Sequence, residues 1–243
     1  MKNGSETASK GPKRFYKDAS TGAAPEGWSI LLDGRSVKTP LRAALLLPAR
    51  GLAEAIAEEW RRQGETVDPA SMPLTKLANT AIDAVAPNAA AVAEDIVSYA
   101  GRDLLCYRAS HPASLVERQR LAWDPLLGWA RDHYGASFVP TEGVIPIDQP
   151  PQSIAALRTA CLCLDEFGLA PLHVMTTLTG SAILPLAHIA GRVSLEETWD
   201  AAHLDEDYQA DQWGEDEEAK LRREARFAEM RAASEFYRLS RKG

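Results

Sequence analysis

Trp28-Ser-Ile-Leu-Leu-Asp-Gly-Arg-Ser-Val-Lys-Thr39 decides the fold class. Two extended apolar runs, Trp28–Leu32 and Ser36–Thr39, flank Asp33-Gly34. Asp-Gly tolerates the positive φ angles of a two-residue hairpin turn, so the stretch predicts an antiparallel hairpin. Working outward, Arg14–Asp18 and Ala43–Leu47 read as further extended runs. After Pro48 the period changes. Leu52, Ile56 and Trp60 recur every four residues, and Gly64 supplies a helix stop. A second helix is expected from about Met72 to Val85, with Leu74, Leu77, Ala78, Ala81, Ile82 and Val85 as its apolar stripe. A third is expected from about Asn88 to Ala100, ending at Gly101.

From Asp103 onward the pattern is almost purely helical, with segments near 112–134, 151–167, 171–190, 194–213 and 215–239. Pro112 and Pro151 sit near starts; Gly135, Gly168 and Gly191 sit just past ends. Ser194-Leu-Glu-Glu197 fits a capping box. Pro125 is expected to kink or break its segment, and the Pro-rich linker 138–151 has room for a short strand. The expected class is α+β: a polar, flexible arm over 1–13, an N-terminal α+β domain over 14–101 built on a small antiparallel sheet with helices, and a C-terminal all-α helical bundle over 102–243.

Composition narrows the function classes. The 243 residues carry 45% hydrophobic and 25% charged side chains, which excludes wholesale disorder. A net charge of −7 points away from a general nucleic-acid binder. Three cysteines, Cys106, Cys161 and Cys163, are too few for a disulfide framework and suit a reducing compartment. Residues 1–14 lack the apolar core of a secretory signal. The uncharged stretch Phe167–Gly191 contains Pro171, Pro185, Gly168 and Gly180, and reads as a buried core helix, not a membrane insertion.

A search for chemistry returns little. There is no Walker-type loop, GxGxxG, Gly-x-Ser-x-Gly, HExxH or CxxC pattern. Cys161 and Cys163, two apart on a helix, face different ways; with His173 they make a poor zinc set and read as buried apolar cysteines. The five histidines show no metal spacing. Lys76, Asn79, Thr80 and Asp83 share a helix face that reads as solvated or hydrogen-bonded. No catalytic residue, metal site or cofactor is assigned.

The unusual stretch is Asp205–Glu218, DEDYQADQWGEDEE, with eight acidic residues of fourteen and no basic one. Asp207, Asp211 and Glu215 recur every four residues, so a continuous helix stacks like charges at a few tenths of a kcal/mol per pair. Gly214 adds up to about 1 kcal/mol. Three readings compete: a solvated acidic break between helices, carboxylates of a metal-dependent small-molecule hydrolase, or a protein-binding surface. In the last, Glu206, Tyr208, Gln212, Trp213, Glu215 and Glu217 are the candidate contacts, with Tyr208 and Trp213 as apolar area inside a polar rim. A basic run follows at Lys220, Arg222, Arg223 and Arg226, part of which pairs with Glu217 and Glu218 along one long amphipathic helix.

An ordered set of motifs then carries a resemblance. Arg14-Phe-Tyr-Lys17, Leu32-Asp-Gly-Arg35, Val37-Lys-Thr-Pro40 and Glu59-Trp60 precede Met72-Pro-Leu-Thr-Lys-Leu-Ala-Asn-Thr-Ala-Ile-Asp83. Asp103-Leu-Leu-Cys-Tyr-Arg108, Trp123-Asp-Pro125, Asp205-Glu-Asp-Tyr-Gln209 and Gln212-Trp-Gly-Glu-Asp-Glu217 follow. Together they resemble the ATP synthase assembly chaperones that handle the alpha subunit of F₁-ATPase. The resemblance implies a non-enzymatic chaperone that holds the free alpha subunit until it meets beta, with a fold like the one read above. The best-known members act in the mitochondrial matrix. Here the arm before Arg14 is short and contains Glu6, without an Arg-rich transit peptide, which suggests a bacterial cytoplasmic member.

Overall fold

A computed structural model of the chain describes residues 12–143, 147–214 and 216–241. Its contacts group the chain into two compact units, one running to Ala84 and rejoined by the chain from Leu239 onward, the other Val85–Arg238. Most of the expected 1–13 arm lies outside the described residues.

The first unit holds a small antiparallel sheet of β1 (Ala19–Ala24), β2 (Gly27–Leu32), β3 (Arg35–Ser36) and β4 (Leu46–Leu47). The expected hairpin is present: Leu31 faces Ser36 and Leu32 faces Arg35 across Asp33 and Gly34, whose φ angles are 47° and 78°. The first strand lies later than expected. Arg14–Asp18 is irregular, because the N–H groups of Lys17 and Asp18 donate to the Asp33 carboxylate instead of to a ladder. The strand is Ala19–Ala24, a run poor in β-branched residues, held by a six-residue register from Ala19↔Leu32 to Ala24↔Gly27. Gly27 is required by close approach: a Cβ there would lie 2.4 Å from the Leu47 carbonyl oxygen of β4.

Helix α1 (Arg50–Arg61) lays Leu52, Ala53, Ile56 and Ala57 on this sheet. α2 (Pro73–Thr80) starts with Pro at its first position, where no N–H is needed. Its free N–H groups meet Glu59 of α1, whose carboxylate accepts from the N–H groups of Leu74 and Thr75 at 2.7 and 2.8 Å and from Thr75 Oγ1 at 2.7 Å. Glu59→Ala is expected to destabilise the unit by about 1–3 kcal/mol, because it strands backbone donors at a helix start; denaturant unfolding measures it. A π-helical turn (Ala81–Val85) continues α2, and there Asp83 accepts from Thr39 Oγ1 at 2.6 Å and Leu41 N–H at 3.0 Å. The polar face foreseen on this segment is thus hydrogen-bonded at Asp83 and exposed at Lys76 and Thr80.

The second unit begins before α3 (Ala89–Ala100), whereas the sequence places the domain boundary after Gly101. The reason is the partner of α3: its buried stripe of Ala93, Ile96, Val97 and Ala100 packs on α5 (Pro151–Leu162) and α6 (Glu166–Thr179). β5 (Tyr107–Arg108) pairs in parallel with β6 (Thr141–Glu142), the short strand expected in the linker. α4 (Ala113–Tyr134) runs unbroken through Pro125, anchored by fully buried Trp123, which donates to the Ala201 carbonyl at 2.8 Å.

The uncharged stretch is not one helix. Asp165 caps α6 by accepting the Gly168 N–H, so Gly168 lies inside the helix instead of past an end. Gly180, with φ of 65°, closes α6 before α7 (Ile183–Ile189). Asp103 ties the break: its buried carboxylate accepts the N–H groups of Leu105 (3.1 Å), Ala182 (2.8 Å) and Ile183 (3.1 Å). No helix of the described residues is long and apolar enough to cross a membrane. Cys106 and Cys161 are buried, and burial pushes both thiols up to about 12; Cys163, expected buried, is exposed.

Candidate partner-binding surface

The acidic stretch begins where α8 (Leu195–Ala202) ends. The capping box at its start is complete: Ser194 Oγ accepts the Glu197 N–H, and Glu197 accepts the Ser194 N–H. His203, at φ −112° and ψ 16°, separates α8 from α9 (Leu204–Trp213), so the expected 194–213 segment is two helices. Its ring lies 3.8 Å from that of buried Trp199 and is itself buried. Burial holds the imidazole below its usual range and favours the neutral form.

One side of α9 is locked. Asp205 accepts from buried Gln119 of α4 at 2.7 Å, Tyr208 Oη meets Ser114 Oγ at 2.6 Å, and Asp211 accepts from Arg118 at 2.8 Å. The Arg118 guanidinium also sits 5.1 Å over the Tyr208 ring. Asp207 takes a bidentate pair from Arg223 of α10 (Glu217–Arg241), with one contact at 2.9 Å. The like-charge stack foreseen along a continuous helix is thus cut to the pair Asp207 and Asp211 within α9. Asp207 and Asp211 each meet an arginine from another helix, and α9 stops at Trp213.

The stop is Gly214, at φ 87° and ψ 163°, a region that only glycine enters readily. Asp216 then accepts the Ala219 N–H at 3.0 Å, and Glu217 and Glu218 occupy the first turn of α10, where the helix dipole favours anions.

The other side of α9 is open. Glu206, Gln209, Gln212 and Trp213 are exposed, and Trp213 is 88% exposed, an unusual state for the largest apolar side chain. Between α9 and α10 lies a cleft of about 540 Å³. Glu206 and Trp213 line one wall, and Asp216, Arg222, Arg223 and Arg226 the other. Of the six residues singled out from the sequence, the cleft thus joins Glu206 and Trp213. Gln212 and Glu217 are exposed nearby but outside the lining, and Tyr208 is turned to α4. Glu215 lies outside the described residues.

The basic wall escaped the sequence reading, which paired part of the basic run along its own helix and assigned the rest no partner. Arg222 does pair along the helix, with Glu218 at 2.6 Å. Arg223 crosses to α9 instead, and Arg226 donates to the Leu178 carbonyl at the end of α6 at 2.9 Å. The excess of this run over the two available glutamates was the signal. Among the described residues, no three His, Cys, Asp or Glu side chains are placed to hold a metal ion. Three of the carboxylates of the hydrolase reading, Asp205, Asp211 and Asp207, are divided among Gln119, Arg118 and Arg223.

Comparison with known proteins gives the class to which this fold belongs, the ATP synthase assembly chaperones. A family model described as ATP12 chaperone protein matches residues 13–131. The crystal structure of Atp12 from Paracoccus denitrificans is 44% identical, superposes with a TM-score of 0.91, and is matched over 95% of this chain and 99% of that one. A structure from Agrobacterium tumefaciens is 49% identical with a TM-score of 0.90, over 94% of this chain and 86% of that one. The mitochondrial protein atp12 of Schizosaccharomyces pombe is 25% identical, over 85% of this chain and 75% of its own length. The chain belongs to the ATP12 chaperone family.

Proposed function

We propose that this protein is a non-enzymatic chaperone that binds the free alpha subunit of F₁-ATPase, keeps it from aggregating until it pairs with beta, and does so in the bacterial cytoplasm. The observation that carries the reading is Trp213, exposed on the rim of a charged cleft at the end of a helix whose opposite side is fastened to its neighbours. A rigid aromatic anchor in a polar rim is what a reversible protein interface needs. A free alpha subunit exposes the surface destined for beta, an aggregation hazard while uncovered. Competition by beta releases the chaperone by mass action, without nucleotide hydrolysis.

Light scattering of isolated alpha subunit tests this. Aggregation is expected to be suppressed by the protein, with a complex on a sizing column and poor binding to the assembled hexamer. Equal scattering with and without the protein, and no complex, would refute the assignment. The 24 acidic against 13 basic residues between 85 and 238 set the salt dependence. Association is expected to slow as salt brings the Debye length below about 10 Å. Neutralising Glu206, Glu215 and Glu217 together should flatten that dependence in stopped-flow binding.

A further inference from the structure

The first unit carries another cleft, of about 620 Å³, whose lining shares no residue with the cleft described above. Leu32 and Val37 contribute its apolar surface, Tyr16 and Trp60 its aromatic surface. Phe15 joins them and is 71% exposed, although it packs edge-on against Tyr16 with centroids 5.4 Å apart; Tyr16 packs edge-on against Trp60 at 5.6 Å. The Trp60 indole N–H is buried and has no acceptor among the described residues. Arg35 and Lys38 also line the cleft, both exposed and neither in an ion pair among the described residues. Arg14 stands 4.6 Å over the Tyr16 ring, and its hydrogen bonds go to the carbonyls of Tyr16, Gln63 and Lys17. The single carboxylate of the lining, Asp33, already accepts the N–H groups of Lys17 and Asp18.

These features select an occupant. Aromatic walls favour one large apolar side chain, and cations without an ion-pair partner call for negative charge beside the anchor. The chain's own residues 1–11 do not fit, since they set Lys2 and Lys10 against Glu6 and contain no aromatic residue. A bare polyanion would leave the aromatic walls unused. We propose that this cleft docks an acidic segment of a partner protein through one aromatic side chain of that segment.

The test is fluorescence anisotropy with the full-length protein and a labelled seven-residue peptide, one tryptophan flanked on each side by three glutamates. Saturable binding at micromolar concentration is expected, weakening with salt. It should fall at least about tenfold in Arg35→Glu/Lys38→Glu, whose side chains are exposed and whose melt should match the parent. If that variant melts early, Lys38→Gln carries the same comparison with a smaller loss. Phe15→Ala should weaken binding several-fold, as should exchanging the peptide's tryptophan for alanine. Equal affinity for a lysine-flanked peptide, or undiminished binding by the charge variants, overturns the proposal. So does a concentration-dependent dimer that the peptide dissociates, because it assigns the cleft to a second copy. No ATP synthase subunit enters the assay, so its failure leaves the alpha-subunit reading untouched.

Discussion

Asp103→Ala is expected to destabilise the second unit by about 3 kcal/mol or more, lowering the melting temperature by about 10 °C. The side chain is wholly buried and accepts three backbone N–H groups, two of which belong to the break between α6 and α7. Alanine leaves all three donors without a partner and opens a polar void. Asp103→Asn keeps the shape but turns one acceptor into a donor, so it should fall between parent and alanine. Burial pushes the Asp103 carboxyl up to about 6. The folded state then holds this proton more tightly than the unfolded state, whose carboxyl titrates near about 3.9. Its contribution is fully present below about pH 4 and is lost as pH rises through about 6. The gap between parent and Asp103→Asn should therefore narrow from pH 4 to pH 7 in paired thermal melts. A gap that widens with pH would show that the hydrogen bonds to the carboxylate, and not burial, govern this carboxyl.

Trp213→Ala is expected to weaken binding to the alpha subunit by about 2 kcal/mol or more, roughly 30-fold, with no change in the melt. The asymmetry follows from position. At 88% exposure the indole contributes little to the packing of its own fold, so its removal leaves no cavity. In a complex the same ring offers apolar area of about 150–250 Å² to a partner. Tyr208→Phe is the matched control. That hydroxyl bonds Ser114 and holds α9 to α4, so its loss should lower stability slightly and leave partner affinity nearly intact. A binding titration and a melt on both variants separate the roles, and an unchanged titration for Trp213→Ala removes this residue from the interface.

Much of this molecule is written in local chemistry. Asp33-Gly34 accepts positive φ angles, so the hairpin could be read from two residues. Ser194 and Glu197 need only each other and the backbone between them, so the capping box was equally legible. The apolar stripes of α1 and α3 follow from period alone. The ordered motifs from Arg14 to Glu217 carried the family resemblance, and the acidic run marked α9 and its exposed tryptophan.

What stayed hidden depends on partners distant in the chain. A run as small and polar as Ala19–Ala24 becomes a strand because Gly27–Leu32 supplies its ladder, while Asp33 draws the better-looking Arg14–Asp18 out of any sheet. The stripe of α3 is the same whether it packs forward or back, and only α5 and α6 decide that it joins the helical unit. Like charges at Asp207 and Asp211 look costly along one helix, but Arg223 and Arg118 arrive from two others. Periodicity and turn chemistry act over a few residues, so sequence alone determined the class of fold and the resemblance. The Asp103 carboxylate reaches the N–H groups of Ala182 and Ile183 79 and 80 positions on, and the ion pairs of Asp207 and Asp211 span 16 and 93 positions, so only the tertiary structure decided which side of the acidic helix is fastened and which is free.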